Sequence, residues 1–234
     1  MLARVEAGIS NVRDFTLHAS HELKTPLTIL SAETELSLAD PATPAAESER
    51  LASQLEELRR LAALVDALSL LAKVDAGLPV IARERLRFEE VLQDAVKDAR
   101  VLASRRGIAI ELTRCDAASF DGDRAGLRQV LLNLFDNAVK HNRPGGWARV
   151  ELRTEQDTLI LVIENTGLPI SAELLPRIFD RFVRGAGCNE GSGLGLSIAK
   201  TIVESHGGTI TFMARPEGGA RFVVGFPQCT PSRE

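Results

Sequence analysis

Residues 20–28 read SHELKTPLT. Glu22 follows His21 at once, and Thr25 stands four residues after the histidine, on the same helical face. Pro26 cannot donate to a helical ladder and presses on the turn before it, so a helix running through it is expected to bend. The stretch lies in a long window of helical period. Leu2, Val5, Ile9, Val12, Thr16, Ala19, Leu23 and Leu30 fall mostly three and four apart, a narrow seam of the coiled-coil type. LADPATPAAESER (38–50) breaks the pattern with two prolines. A second seam follows in Leu51, Leu55, Leu58, Leu61, Val65, Leu68 and Leu71. Two amphipathic helices joined by a turn make a helical hairpin. One hairpin cannot bury both stripes, so a second copy completing a four-helix bundle is expected, and hence a homodimer. The alternative packs the seams on the second half of the same chain. His21 falls off the seam, which takes Ala19 and Leu23, and is expected to face solvent.

The period changes near residue 79. GIAIEL (107–112), WARVELRT (147–154), TLILVIEN (158–165), GTITFMA (208–214) and ARFVVGFP (220–227) are short β-rich runs. Helical windows lie between them: FEEVLQDAVKDARVLASRR, DRAGLRQVLLNLFDNAVKH and GLGLSIAKTIVESHG, the last ending at Gly207-Gly208. This order predicts an α+β fold: a helical hairpin over residues 1–76, then, over 77–230, an α/β sandwich of one mixed sheet covered by helices on one face.

With 44% hydrophobic and 26% charged residues the chain is globular in character. A net charge of −4 without a basic stripe argues against nucleic acid as a partner. Cys115, Cys188 and Cys229 are too few and too scattered for a disulfide frame or a zinc site. No apolar run approaches the roughly 20 residues needed to cross a bilayer. The chain is therefore soluble, or the soluble part of something longer.

Three segments carry polar chemistry. GSGLGLSIAK (191–200) sets Gly191, Gly193 and Gly195, with Leu194 between the last two, at the start of a helix, where close backbone approach and unpaired N–H groups suit an anion such as phosphate. No strand directly precedes it and no Lys-Ser/Thr ends it, so it is neither a dinucleotide fingerprint nor a P-loop. LLNLFDNAVKHN (131–142) puts Asn133 and Asn137 on one helical face, with Lys140 and His141 a turn later. Amides on an apolar helix are costly unless they bind something; an amide oxygen can join a Mg²⁺ shell, and Lys140 can neutralise phosphate. VIENTGLPISAELLPRIFDRFVRG (162–185) ends a strand in Asn165 beside Gly167, a floor suited to a base or sugar, and carries Arg181 and Arg184 within reach of anions.

In this order the segments resemble the cytoplasmic core of bacterial sensor histidine kinases, over roughly residues 10–227. ASHELKTPLT looks like the H box, NLFDNAVKH the N box, ENTGLPI the first glycine box, FDRF the F box and GSGLGLSIAK the second glycine box. The resemblance implies a dimerising phosphotransfer hairpin and an ATP-binding sandwich of the histidine kinase/Hsp90-like type. It also implies ATP with Mg²⁺ as cofactors and a response-regulator receiver domain as partner. The chain would then be the cytoplasmic portion of an inner-membrane sensor, attached to the membrane only through segments outside this sequence.

There are departures from the family pattern. Asn165 stands where the family usually has Asp; its oxygen can accept from the adenine amine, and its nitrogen can donate to a ring nitrogen. Pro169 replaces the second glycine of that box, a form similar to kinases of the heavy-metal-sensing group. The stretch VRGAGCNE before the second glycine box is shorter than the usual ATP lid.

On this resemblance His21 accepts the phosphoryl group through Nε2. Glu22 accepts a hydrogen bond from Nδ1–H and fixes the tautomer. Thr25 orients water for dephosphorylation of the partner's aspartate. Asn137 holds Mg²⁺; Lys140, Gly191, Gly193, Leu194 and Gly195 cradle phosphate; Asn165 and Gly167 receive adenine; Asn133, His141 and Arg181 line the pocket. The rivals are an inactive nucleotide-binding scaffold, an ATPase of the same superfamily, and a structural coiled-coil adaptor.

Overall fold

The computed structural model describes residues 2–40, 42–75, 83–183 and 193–227. It divides into two compact units, Met1–Val80 and Ile81–Glu234.

The first unit is a hairpin of α1 (Leu2–Ala39) and α2 (Ala45–Asp75). α1 runs through Pro26 without ending there. At the turn, the Ala42 N–H donates to Asp40 Oδ1 at 2.8 Å and the Thr43 hydroxyl to the Ser37 carbonyl at 2.7 Å, satisfying groups that helix ends leave open. Lys24–Asp66 at 2.8 Å and Arg59–Glu35 at 2.7 Å link the helices; both pairs are exposed and each contributes little. Ser20, Leu55 and Ala72 are buried. Leu23 is 51% exposed and Leu30 48%, and Leu61 and Leu68 on α2 are exposed as well. The apolar seam therefore stays open along part of the single hairpin. The side chains of His21 and Leu71 lie outside the described residues.

The second unit opens with β1 (Glu84–Arg87), α3 (Phe88–Ser104), β2 (Ala109–Cys115), β3 (Ser119–Gly122) and α4 (Arg124–Lys140). β4 (Trp147–Glu155), β5 (Thr158–Asn165), a 3₁₀ turn (Leu175–Arg177), α5 (Gly195–Ser205), β6 (Thr209–Ala214) and β7 (Ala220–Pro227) complete it. Five strands form one mixed sheet in the order β2-β4-β5-β7-β6, with β2 and β4 parallel and the other pairs antiparallel. Alternate residues explain its two faces. Ala148, Val150, Leu152, Leu159, Leu161, Ile163, Phe222, Val224 and Phe226 are buried, while Arg149, Glu164 and Arg221 between them are not. α3, α4 and α5 pack on this sheet with Leu92, Ala95, Leu131, Leu134, Phe135, Ala199 and Val203 buried. Burying each large side chain contributes about 2 kcal/mol.

The fold is the expected α+β arrangement, with one addition. β1 and β3 pair antiparallel as a separate two-stranded sheet, with Leu86 opposite Phe120. It anchors the start of α3, where the Phe88 N–H donates to the Ala118 carbonyl at 2.8 Å and Glu89 Oε2 accepts from the Ala118 N–H at 3.0 Å.

Candidate functional site

Asn165 is the last residue of β5 and continues the buried alternation of Leu159, Leu161 and Ile163. Its side chain is 1% exposed. Nδ2 donates to the Thr166 carbonyl at 2.8 Å, which fixes the amide's orientation. Oδ1 is left buried, with no hydrogen-bond partner among the described residues. An acceptor stranded in this way costs about 1–3 kcal/mol until something donates to it.

The backbone around Asn165 is crowded to the point of requiring glycine. A Cβ on Gly167 would lie 2.4 Å from the His141 carbonyl oxygen, and one on Gly219 2.0 Å from that of Asn165. Gly218 and Gly219 have φ of +87° and +98°. Beside them the Thr166 hydroxyl donates to Asn142 Oδ1 at 2.7 Å and accepts from the Trp147 N–H at 2.9 Å. Arg215 donates to the Asn165 carbonyl at 3.3 Å, and its guanidinium lies 4.7 Å from the Trp147 ring centre. Thr166, Asn142, Gly218 and Gly219 were not singled out from the sequence. The repeated small and polar residues after a strand end were the available signal.

α4 carries the second group of candidates. Asp123 caps its start, Oδ1 accepting from the Ala125 N–H at 3.0 Å. Asn133 is half-buried; Nδ2 donates to the Gly195 carbonyl at 3.0 Å, and Oδ1 accepts from Gln129 at 2.9 Å. Asn137, one turn on, makes no side-chain hydrogen bond among the described residues, which leaves its oxygen able to act as a metal ligand. Lys140 pairs with Asp136 at 2.7 Å. His141 ends the helix, and its carbonyl is the atom that Gly167 packs against.

The third group surrounds the start of α5. Gly193 has φ +71°, and its carbonyl accepts from the Phe182 N–H at 2.9 Å. A Cβ on Gly193 would lie 2.9 Å from the Phe182 Cα. Phe182 itself has φ +64° and is exposed, an uncommon backbone for an aromatic residue. Leu194 is buried just before the helix, Gly195 begins it, and Arg181 is exposed. Gly191, Arg184 and Cys188 lie outside the described residues.

Contacts therefore join the three stretches: α4 to α5 through Asn133 and Gly195, the end of α4 to the end of β5 through His141 and Gly167, and the FDRF turn to Gly193. The arrangement combines a stranded buried acceptor, an amide open to a hard cation and a glycine-lined helix N-terminus. That donor set fits a purine bearing an amine at one end and phosphates with a divalent cation at the other. In the first unit, Glu22 and Thr25 are exposed on α1, so both are accessible to an incoming group.

The family described as histidine kinase-, DNA gyrase B- and HSP90-like ATPase matches residues 122–230, and the His Kinase A (phospho-acceptor) domain matches residues 11–77. A solved mycobacterial sensor histidine kinase, MprB, is 32% identical, aligning with 62% of this chain and 97% of its own with a TM-score of 0.56. The chain belongs to the sensor histidine kinases. Among curated relatives of this chain, the sensor histidine kinase CusS of Escherichia coli O157:H7 is 33% identical over 97% of the chain and 48% of CusS. The chain spans about half the length of the curated relatives it matches. The Acinetobacter baumannii histidine kinase AdeS, at 24% identity, shares the fold over 90% of this chain and 98% of its own with a TM-score of 0.65. The match to the ATPase family lies within the unit that holds Asn165, Asn137 and Gly195. No helix among the described residues is long and apolar enough to cross a membrane.

Proposed function

We propose that this chain is a kinase core that moves the terminal phosphoryl group of ATP to His21 and then to an aspartate of a response-regulator receiver domain. The observation that carries the reading is the stranded Oδ1 of Asn165 among Gly167, Gly218 and Gly219. One N–H of Nδ2 is taken by Thr166 and Oδ1 has no partner among the described residues, so the amide offers a buried acceptor, which suits an exocyclic amine such as that of adenine. Asn137 would hold Mg²⁺, which when bound supplies charge neutralisation at the phosphates. Lys140 and the N–H groups at the start of α5 bind phosphate oxygens, and Asn133 keeps that helix start against α4.

An imidazole with an ordinary pKa is mostly neutral at pH 7, so one ring nitrogen of His21 holds a free lone pair. That nitrogen attacks the terminal phosphorus while the bond to the leaving ADP oxygen breaks. Glu22 accepts from the other nitrogen and stabilises the positive charge the ring acquires. Thr25, one turn on, positions water for hydrolysis of the receiver's aspartyl phosphate. Pro26, lacking an N–H, weakens the ladder there and lets α1 flex. Exposed Leu23, Leu30, Leu61 and Leu68 support a homodimer through the hairpin. The Asn-x-Gly form of the first glycine box supports the heavy-metal-sensing-type subgroup. We place the chain as the cytoplasmic portion of an inner-membrane sensor.

The test is incubation with Mg-ATP carrying a labelled terminal phosphate. An acid-labile, base-stable label that vanishes in His21→Gln, with nucleotide binding intact, supports the reading. Steady hydrolysis without labelled protein contradicts it.

A further inference from the structure

His206 lies directly after α5, 5% exposed, against the rings of Phe120 and Phe226. Its Nδ1 is 2.7 Å from the Ile202 carbonyl, and its Nε2 is 3.0 Å from the Asp123 N–H. A carbonyl can only accept and a main-chain N–H can only donate. The ring is therefore the neutral tautomer, donating from Nδ1 and accepting at Nε2. The packing leaves it little freedom: a Cβ on Gly122 would lie 3.0 Å from its Cδ2.

Asp123 is the residue that caps α4, and Ile202 belongs to the last turn of α5. α4 and α5 are thus tied twice, His206 joining the start of α4 to the end of α5, and Asn133 joining the middle of α4 to the start of α5. Gly126 lets the helices approach between the ties, its Cβ position 3.3 Å from Ile202 Cγ2.

We propose that His206 is a positioning residue for the nucleotide site, holding α4 and α5 in the register that sets Asn137 beside the glycine-rich helix start. This rests on the nucleotide reading above. A proton on Nε2 replaces the acceptor with a donor that opposes the Asp123 N–H. The charged groups that act on the ring are Asp123, which favours the proton, and Arg83, which disfavours it and donates to the neighbouring Ser205 carbonyl at 3.2 Å. Burial is the largest influence and keeps the imidazole below its ordinary value of 6.5. Nucleotide binding and protonation of His206 therefore oppose each other, and by linkage each weakens the other equally.

The experiment is calorimetric titration of the whole chain with Mg-ATP at about pH 7.5 and at a pH below the midpoint at which NMR shows the His206 ring to titrate in the nucleotide-free wild type, in the wild type and in His206→Gln, whose amide oxygen accepts without titrating. The wild type should lose affinity several-fold more than the variant between the two pH values, the titration of ATP itself being common to both. Equal losses overturn the clasp alone. Absence of binding at the higher pH overturns the nucleotide reading and the clasp with it. Should His206→Gln fail to fold, the His206 ring is followed by NMR in the wild type. Its titration midpoint should fall when Mg-ATP is added, and an unchanged midpoint overturns the proposal.

Discussion

The side-chain amide of Asn133 donates to the main-chain carbonyl of Gly195 at 3.0 Å, so the N-box helix holds the first residue of the helix that follows the second glycine box. A neutral hydrogen bond of this kind contributes about 1 kcal/mol net. Asn133→Ala should therefore weaken Mg-ATP binding about fivefold while leaving the fold intact. Titration calorimetry alongside circular dichroism checks both halves; unchanged affinity would make the contact irrelevant to the site.

Asn137 stands on the same face with its amide uncommitted among the described residues. Asn137→Ala should abolish measurable Mg-ATP binding, and metal-free nucleotide should bind the variant and the wild type alike. Normal Mg-ATP binding by the variant would remove Asn137 from the metal's coordination.

Asn165→Leu removes a buried oxygen that has no partner and replaces it with an apolar group of similar size. The unfolding midpoint should change little, because the stranded Oδ1 is gone but the Thr166 carbonyl loses its Nδ2 donor, while adenine nucleotide affinity falls by about tenfold or more. A variant that kept its affinity would show that the base lies elsewhere.

Gly219 has φ +98°, and a Cβ there would lie 2.0 Å from the Asn165 carbonyl. Gly219→Ala should destabilise the second unit by about 2 kcal/mol or more, read by chemical denaturation. Gly107→Ala is the comparison: its φ is also positive, but a Cβ there meets nothing within 4 Å, so the loss should be smaller.

Glu89 gives the second unit an acid limit. Burial on its own raises the carboxyl, but the Ala118 N–H, its own N–H and the Arg87 guanidinium outweigh burial and hold it below its ordinary 4.5. A value depressed in the folded state contributes stability above the unfolded value, and that contribution is lost as pH falls through the folded one. Denaturation midpoints should therefore drop below pH 4.5 more steeply in the wild type than in Glu89→Gln.

The elements legible in the sequence were those whose burial alternates. TLILVIEN became β5 residue for residue, and WARVELRT and ARFVVGFP fell on β4 and β7, because one face of each strand meets the helices. β1 (ERLR) and β3 (SFDG) escaped notice. Each is four residues long with charge among them, and they are held by pairing with each other, not by an apolar run. The seams of α1 and α2 were readable as period, but not which positions one hairpin covers; Leu23 and Leu30 are exposed while Ser20 is buried. At the site, Asn133, Asn137, Asn165 and Gly195 stood out as polar or flexible residues in apolar company. Thr166, Asn142, Gly219 and His206 did not. Their roles exist only through partners dozens of residues away, such as His206 with Asp123, and no local period encodes such a pairing.

Locating the transferred phosphate tests the account most directly. After reaction with Mg-ATP the full chain should be digested under neutral conditions and the modified residue identified by mass spectrometry, with ³¹P NMR reporting the bond. The account predicts a single phosphoramidate, on His21 alone among the four histidines. A phosphate on any other residue, or none on a chain that binds Mg-ATP, would contradict it.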